Sequence, residues 1–475
     1  MPMHDVYLID SRVHRSRIRI PIIHPISEKG TCVLYGMQSA LRFDDNPAYF
    51  RAREWARARN LPLVVAAFGD TGWKHATERE WGFIIQSWKD LYERAAHEEI
   101  SFFAYAGLTK DLWVHAIRKF SPAVIIADEG YASWSRNWRE YAAQISHIHF
   151  EIIDCNLVVP VLHASPKREW AAYTFRPKVS AQINDFMKEE YTTHSVIFPK
   201  VKNILYDPLA VDLTLPLHSI IAQIKPSSRA RLVDEIKGGE TSAKAQLQKF
   251  LQHGKGYALQ RNQPGIEALS GMSPYLHHGC ISPRTVLKEA KKSLPTEDFN
   301  ALQEEMVVRR ELAHNFVHYE THFRSLKGCD MWARETLAKH KKDKRPYLYT
   351  LEQLENALTH DASWNAAQNQ MRITGKMHGY MRMYWAKKIL EWTPYPEIAL
   401  SYTIQLNDIY ELDGGDPNGW VGALWAIGGL HDRAWPERPI FGKIRYMNEA
   451  GLIRKIKTLP IYIHQYTVQS IDKLK

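Results

Sequence analysis

The stretch MHGYMRMYWAKKILEW, residues 377–392, is the one around which the rest of this chain is organised. At about 100° per residue it forms one helix. A narrow stripe of that helix carries His378, Arg382, Trp385, Ile389 and Trp392. Leu, Ile, Val and Ala are the usual residues of a face that only packs into a core. Two interpretations therefore stand: the tryptophans are core and Arg382 pairs with an acid, or the face lines an aromatic cofactor with Arg382 against an anionic group.

Trp385 and Trp392 are two helical turns apart, which is roughly 10 Å along the helix axis. That separation is long for direct contact but short for an electron that hops through an intermediate ring. The segment DASWNAAQNQM, residues 361–371, supplies Trp364, which would bridge the gap if it lay between the two. The three indoles are therefore candidates for an electron relay.

The composition indicates a protein of more than one domain with an anionic partner. A chain of 475 residues exceeds the usual size of a single domain. A hydrophobic content of 45%, with 15 tryptophans, is enough for large cores. The formal charge of +10 favours a nucleic acid as partner first and an acidic membrane surface second, although a merely basic enzyme would carry the same charge.

The cysteines and the apolar runs predict a cytoplasmic protein, nucleoid-associated if the source is prokaryotic. Cys32, Cys155, Cys280 and Cys329 are far apart and form no CxxC pair, so we expect reduced thiols and no metal. The N-terminus has no apolar signal segment. The longest apolar runs, such as residues 61–68, are far too short to span a membrane, so we expect no membrane association.

Apolar runs alternate with amphipathic helical patterns in the first third of the chain. The runs are TCVLYGM (31–37), LPLVVAAF (61–68), ISFFAYAG (100–107), AVIIADE (123–129) and LVVPVLHA (157–164). Such continuous runs predict strands covered on both faces, and hence a five-stranded parallel, doubly wound α/β sheet. No GxGxxG motif follows the first strand, so the dinucleotide fingerprint is absent, but a ligand can still bind at the carboxyl ends of the strands.

The pattern changes after about residue 165 and becomes almost entirely helical after about residue 240. We predict a surface extension over residues 1–30, an α/β domain over 31–165, an interdomain linker over 166–240 and an all-α domain over 241–475. A linker of that length inside a compact protein is usually functional or wraps around a domain.

Two segments of the helical half carry candidate polar groups. LSGMSPYLHHGCIS, residues 269–282, presents Ser270, Gly271 and Ser273 before a helix, which suits a phosphate but is also an ordinary helix start. EEMVVRRELAHNF, residues 304–316, forms a helix. One side of it carries Glu305, Arg309, Leu312 and Phe316. A carboxyl group on a partly apolar face suits a hydrogen-bond partner or a proton donor, and a solvated charged helix is the alternative.

The turn LDGGDPNG, residues 412–419, presents Asp413, Asp416 and Asn418. Its carboxylates would accept hydrogen bonds from ribose hydroxyls or pair with Arg382. The basic residues that come after it are Arg433, Arg438, Lys443, Arg445, Arg454, Lys455 and Lys457. Because Trp425 and Trp435 are interleaved with these cations, the segment would contact phosphates and stack on bases, unless it is a solvated basic face.

These motifs occur together in one order. They are TFRPK, MSPYLHHG, EEMVVRREL, YTLEQLENALTHDASWNA, GKMHGYMRMYWAKKILEW, LNDIYELDG, DPNG, HDRAW and GKIRYM. The chain resembles the class II cyclobutane pyrimidine dimer DNA photolyases of the photolyase/cryptochrome family over roughly residues 30–460. The stretch 377–447 carries the most specific part of the resemblance.

The resemblance implies a bent FAD in the helical domain and allows for an antenna pigment, such as an 8-hydroxy-deazaflavin, in the α/β domain. Reduced FAD excited by blue or near-UV light would pass an electron to a pyrimidine dimer flipped out of DNA. The implied catalytic residues are Glu305 and Met383 at the dimer, Asn407 at the flavin N5, and Trp385, Trp364 and Trp392 as the proximal, middle and distal members of a photoreduction chain. The implied FAD-binding residues are Tyr257, Ser270, Met272, Ser273, Arg382, Asn407, Asp413, Asp416 and Asn418, with Arg382 and Asp413 as an ion pair. The implied DNA-binding residues are Trp425, Arg433, Trp435 and Arg445.

The chain departs from the family pattern near the flavin turn. The family usually has Arg at the positions of Ile409 and Gly415, Phe at His278 and Tyr at Trp420. The first strand end, LYGMQSALRFDDNPA, also differs, which weakens the case for the antenna.

Three functions fit the resemblance. The first is a light-driven DNA repair lyase that acts as a monomer. The second is a cryptochrome-like blue-light photoreceptor without repair activity, and the third is a catalytically silent flavoprotein that binds nucleic acid. Because Glu305, Met383 and Trp425 are all retained, repair is the leading hypothesis.

Overall fold

The computed structural model describes residues 11–191, 198–199 and 206–473. Parts of the predicted extension (1–10) and linker (192–197 and 200–205) lie outside the described residues. The helices and strands form an N-terminal α/β part and a helical C-terminal part, so the predicted fold class is confirmed.

The α/β part is built on a six-stranded sheet with the order β1-β6-β5-β2-β3-β4. The strands are β1 (Ile18–Arg19), β2 (Val33–Met37), β3 (Leu63–Asp70), β4 (Ser101–Gly107), β5 (Val124–Asp128) and β6 (His149–Ile153). Strands β2 to β6 pair in parallel and β1 is antiparallel to β6. Every residue of β2, β5 and β6 is buried, as expected for strands that helices cover on both faces. Four of the five predicted strands are confirmed.

The predicted fifth strand over residues 157–164 is wrong. That run is coil followed by the short helix Val161–Ala164, and the actual strand is His149–Ile153. The strand was hidden because it carries polar residues that are satisfied inside the protein. Glu151, buried in the middle of the strand, pairs with the equally buried Arg51 at 2.7 Å.

The prediction that residues 1–30 lie on the surface is wrong for part of the segment. Val13 and Arg17 are buried, and β1 extends the sheet by pairing with β6. The guanidinium of Arg17 donates to the carbonyls of Asp154, Leu157 and Val158. Two of these bonds satisfy the first two carbonyls of the apolar run that was expected to form a strand.

Asp128, the last residue of β5, occupies the backbone amides that follow the carboxyl end of the neighbouring strand β2. Asp128 accepts hydrogen bonds at 2.9 Å from the backbone amides of Gln38, Ser39 and Ala40, and at 2.8 Å from Arg139. Successive backbone amides of this kind form an anion site. In this protein Asp128 fills it, which agrees with the absence of a phosphate-binding glycine motif.

The helices of the α/β part and of the segment after it are α1 (Pro47–Arg59), α2 (Glu78–His97), α3 (Thr109–Phe120), α4 (Ser133–Ser146), α5 (Val161–Ala164), α6 (Ala172–Met187) and α7 (Leu217–Ile224). The helices of the C-terminal part are α8 (Glu240–His253), α9 (Tyr257–Gln260), α10 (Ser273–His277), α11 (Pro283–Ser293), α12 (Thr296–Gln303), α13 (Arg310–Tyr319), α14 (Met331–Lys339), α15 (Leu351–Glu355), α16 (Ala362–Thr374), α17 (Gly379–Glu391), α18 (Pro396–Tyr410), α19 (Pro417–Gly428), α20 (Glu449–Lys455) and α21 (Leu459–Lys473). Helix α17, predicted over 377–392, packs against α16, α18 and α19. Within the part of the chain that the structure describes, no helix is long and apolar enough to span a bilayer.

The segment predicted as one helix over residues 304–316 is interrupted. Residues Glu304–Arg309 form a π-helix, and α13 begins at the next residue. A π-turn contains one residue more than an α-helical turn and so shifts the register of the residues after it. Glu305 and Arg309 are therefore partly exposed while Leu312 and Phe316 are buried, so the single face expected for these four residues does not form.

Candidate cofactor and DNA site

Three buried indoles lie in contact along α16 and α17, and we call them the indole row. Trp364 stacks on Trp385 with ring centroids 6.3 Å apart and contacts Trp392 edge-on at 5.8 Å. The indole of Trp364 donates to the carbonyl of Trp385, and that of Trp385 donates to Gln368. Trp364 thus lies between the other two rings, the position in which we expected it to bridge them.

Arg382 pairs with Glu411, whereas the expected partner was Asp413. Its guanidinium lies 2.8 Å from the fully buried carboxylate of Glu411. Asp413 instead pairs with Lys376 at 3.0 Å. Burial alone would raise the pKa of Asp413, but the charges of Lys376 and Arg382 outweigh it and hold that pKa below its usual range. The path of the backbone through this turn decides which carboxylate reaches Arg382, and sequence spacing does not reveal that path.

Asp416 has both carboxylate oxygens engaged inside the protein. One oxygen caps α19 by accepting from the backbone and the side-chain amide of Asn418, at 2.8 and 2.9 Å. The other lies 3.0 Å from His277. Burial lowers the pKa of His277, but the hydrogen bond and charge of Asp416 raise it above its ordinary value overall. The structure therefore gives Asp416 and Asn418 a helix-capping role, and their role in FAD binding stays a prediction.

Asn407, near the end of α18, is buried close to the same turn. Its side-chain amide donates to Asp408 at 3.3 Å, and its carbonyl oxygen accepts no hydrogen bond from the described residues. A Cβ at Gly419 would lie 2.7 Å from the amide nitrogen of Asn407, so a larger residue at that position would displace the Asn407 amide.

The four residues expected at the FAD phosphates and ribose lie around α9 and α10. Tyr257 and Met272 are buried in the hydrophobic core, while Ser270 and Ser273 are half-buried. Gly271 between them has φ +67°, a conformation that favours glycine. Helix α10 is only five residues long, so the dipole available to a phosphate is small.

Glu305 lies beside Arg261, at 2.8 Å, and Arg261 in turn lies 6.0 Å from the ring of Tyr257. The structure therefore links a predicted dimer residue to a predicted FAD residue through an arginine that sequence reasoning missed. The sequence offered one clue to this link, which is that the positively charged Arg261 follows Tyr257 by four residues.

Met383 and Trp425 line an open groove of about 510 Å³, which we call the basic groove. The other lining residues include Tyr380, Trp435, Arg438 and Arg445. The guanidinium of Arg445 lies 4.8 Å from the ring of Trp435 and 5.9 Å from that of Trp425. All seven cations of the predicted basic tail, including Arg433, are exposed. The structure thus brings the expected dimer and DNA residues together, except Glu305.

A second cavity, of about 230 Å³, lies between the two parts of the chain, and we call it the interdomain cavity. Its walls include Phe68, Trp73, Trp134, His277 and Trp420. It opens beside the carboxyl ends of the parallel strands, where ligands of such sheets bind. Its aromatic side chains offer stacking to a planar ring system. The cavity also has charged wall residues, which are Asp70, Glu80, Arg139, Arg310 and Asp416.

Two departures from the family pattern have local explanations. His278 stacks on Phe83 at 4.7 Å, and its Nε2 lies 3.1 Å from the carbonyl of Leu412. Burial lowers the pKa of His278 to about 3, so the neutral ring donates that hydrogen bond and links the end of α10 to the turn at residues 412–419. A Cβ at Gly415, where φ is +76°, would lie 3.4 Å from the indole of Trp73, which occupies the space beside this turn.

No cluster of three or more His, Cys, Asp or Glu side chains arranged to hold a metal ion occurs among the described residues.

Comparison with known proteins agrees with this architecture. Residues 33–195 match the DNA photolyase domain family. A deoxyribodipyrimidine photo-lyase of Oryza sativa subsp. japonica is 41% identical over 463 residues, which cover 92% of this chain and 88% of that protein. One of Methanothermobacter thermautotrophicus is 38% identical over 450 residues, which cover 94% of this chain and 97% of that protein. A cryptochrome of Synechocystis sp. has the same fold, with a TM-score of 0.71 at 16% identity over 93% of this chain and 89% of that one. The chain belongs to the DNA photolyase family.

Proposed function

We propose that this protein repairs cyclobutane pyrimidine dimers in DNA by light-driven electron transfer, with FAD as its cofactor. The observation that carries the proposal is the indole row, in which the buried ring of Trp364 lies 6.3 Å from that of Trp385 and 5.8 Å from that of Trp392. The helix that carries Trp385 also presents Arg382 and Met383. The class II assignment and the choice of dimer both rest on the sequence resemblance.

Two buried polar atoms on α17 and at its start fit a polar planar ring. The Nε of Arg382 and the Nε2 of His378 are buried and have no hydrogen-bond partner among the described residues. The carbonyl oxygen of Asn407 accepts no hydrogen bond from the described residues either, but it is not one of the buried unpaired atoms. Unpaired buried polar atoms are costly unless a ligand completes them, and an isoalloxazine has both donors and acceptors at its edge.

The chemistry supplied by bound FAD is the donation of one electron, from its light-excited reduced form, to a dimer held out of the DNA stack. The chain contributes the surroundings of that step. Arg382, paired with Glu411, would lie beside the ring system, and Asn407 would face its N5. The indole row would carry electrons from Trp392, through Trp364 and Trp385, to the flavin. Met383 and Trp425 would pack on the extruded bases, while Arg445 and Arg433 would hold the backbone phosphates.

We propose the interdomain cavity as the place of a second, light-harvesting chromophore of the deazaflavin class. Its aromatic walls suit a planar ring, and its position beside the sheet leaves the indole row free. An absorption band beyond that of FAD in protein purified from its source tests this proposal. Protein that carries FAD and shows no second band contradicts it.

Repair is tested with purified, FAD-loaded protein and an oligonucleotide that contains one cyclobutane dimer. We expect blue light to remove the dimers in the presence of reduced FAD. Glu305→Gln should lower the yield per bound dimer, whereas Glu304→Gln should repair like the parent because Glu304 pairs with Arg176 on the surface. Protein with bound, reduced FAD that removes no dimers would favour the photoreceptor function, and removal of (6-4) lesions only would change the substrate.

A further inference from the structure

A buried carboxylate next to Asn407 has no role in the repair reaction proposed above. Asp408 accepts hydrogen bonds from the side chain of Asn407 at 3.3 Å and the backbone of Gly415 at 3.1 Å on one oxygen. Its other oxygen accepts from the indole of Trp420 and the guanidinium of Arg324, each at 3.2 Å. A carboxylate has about four acceptor positions, so these donors saturate it.

Arg324 is the counter-ion of Asp408, and a set of indoles holds it in place. Its guanidinium carbon lies 5.4 Å from the ring of Trp73, 5.9 Å from Trp134 and 5.6 Å from Trp420. Arginine stacks on aromatic faces while its edge donates to a carboxylate, a combination that lysine cannot reproduce. The three indoles therefore fix the charge that faces Asp408.

The charge on Asp408 decides the orientation of the Asn407 amide. Burial raises the pKa of Asp408 above its ordinary value, and the charge of Arg324 and the N–H donors offset only part of that rise. All four contacts of the carboxylate among the described residues are N–H donors, which is the pattern of the ionised form. An ionised carboxylate only accepts hydrogen bonds, so Asn407 must present its NH₂ group to it and direct its carbonyl oxygen elsewhere. A protonated carboxyl would offer an O–H donor, and the amide would then be free to turn over.

We propose that Asp408, paired with Arg324, is a positioning residue that fixes the carbonyl oxygen of Asn407 toward N5 of the bound flavin. The inference rests on the proposed function, in which Asn407 lies at that atom. Reduced flavin carries a hydrogen on N5 and donates from it, whereas N5 of oxidised flavin only accepts. A fixed carbonyl oxygen therefore stabilises the reduced form, which is the form that the repair reaction uses.

Loss of this fixed hydrogen bond should shift the redox equilibrium of the bound flavin by a measurable amount. A hydrogen bond of ordinary strength is worth about 1 kcal/mol, and one near a charge more, so we expect the ratio of reduced to oxidised bound flavin to fall about tenfold. For a two-electron couple, a tenfold change lowers the midpoint potential by about 30 mV.

The test uses the FAD-loaded protein and measures the midpoint potential of the bound flavin by a spectroscopic redox titration. Asp408→Asn keeps the shape of the side chain, but its amide can donate to the Asn407 carbonyl and so release the orientation. Arg324→Met removes the counter-ion. Both should lower the potential by about 30 mV. Glu397→Gln, an exposed residue on the surface beside Arg324, is the matched charge control and should leave the potential unchanged.

The double variant shows whether Arg324 affects the potential through the carboxylate of Asp408. If it does, Asp408→Asn with Arg324→Met lowers the potential no more than either single change. Should Asp408→Asn fail to fold, Trp420→Phe removes one donor from the same oxygen and should lower the potential by a smaller amount.

A parent-like potential in Asp408→Asn protein that binds FAD normally overturns the inference and leaves the proposed function intact. A lower melting temperature with an unchanged potential also overturns it, since Asp408 would then have a structural role only. Additive losses in the double variant overturn the shared route. A parent protein that binds no FAD ends the proposed function and this inference together.

Discussion

Replacement of Glu411 tests the pairing that the structure gives Arg382. The Glu411 carboxylate is fully buried and accepts from Arg382 at 2.8 Å, from the backbone amide of Met377 at 2.9 Å and from Lys376 at 3.4 Å. Glu411→Ala removes the charge-assisted hydrogen bond with Arg382, worth about 1.5–3 kcal/mol, and leaves a buried amide unsatisfied, which costs about 1–3 kcal/mol. We therefore expect a loss of about 2.5–6 kcal/mol in the free energy of unfolding. Glu411→Gln retains an acceptor for Met377 and should lose only about 1.5–3 kcal/mol.

The assay is urea unfolding of the apoprotein, followed by far-UV circular dichroism and extended to double-mutant cycles with Arg382→Met. The coupling between Arg382 and Glu411 should be about 1.5–3 kcal/mol. The matched cycle with Asp413→Asn should give less than about 1 kcal/mol, because Asp413 pairs with the partly exposed Lys376. A larger coupling to Asp413 than to Glu411 would refute the pairing and restore the one expected from the sequence.

Three further predictions concern the relay, the groove and a buried lysine. Trp385→Phe replaces the indole that lies 6.3 Å from Trp364 with a phenyl ring, which is far harder to oxidise, and should abolish light-driven reduction of bound FAD, seen by absorbance, while chemically reduced protein still repairs; a parent-like reduction rate contradicts the relay. Arg445→Gln should make the slope of log binding constant against log salt less negative by about 0.9, and an unchanged slope means that Arg445 contacts no phosphate. Burial lowers the pKa of Lys387 to about 7 in the folded protein, whereas the pKa in the unfolded state is about 10.4. Between these two values the unfolded state binds more protons than the folded state, so the free energy of unfolding rises with pH. The parent should therefore gain about 2 kcal/mol relative to Lys387→Met from pH 7 to pH 9, measured by urea unfolding; a constant difference would show that Lys387 stays charged.

The sequence predicted the parts of the fold that rest on uninterrupted apolar runs. Strands β2 to β5 are of this kind, and each lies within or next to its predicted run. The strand His149–Ile153 escaped because a buried glutamate and histidine interrupt its pattern, and the arginine that pairs with the glutamate lies far away in sequence. The run 157–164 is apolar but forms no strand, since Arg17 satisfies the carbonyls of Leu157 and Val158 and residues 161–164 form a short helix.

The candidate site was predictable where one helix sets the geometry. The bridging position of Trp364 agrees with the two-turn spacing of Trp385 and Trp392. The partner of Arg382 was not predictable, because Glu411 and Asp413 lie in one turn and only the backbone path decides between them. Arg324 was not predicted as the partner of Asp408, because 84 positions of sequence separate the two residues.

The side chain of Asp128 has a consequence for what the cleft beside the sheet can recognise. Because Asp128 occupies the anion site formed by the backbone amides of residues 38–40, a bound ligand cannot place a negatively charged group there. Recognition of a negatively charged group in this cleft would therefore fall to side chains such as Arg310, while the indoles of Trp73, Trp134 and Trp420 would contact the planar part of a ligand.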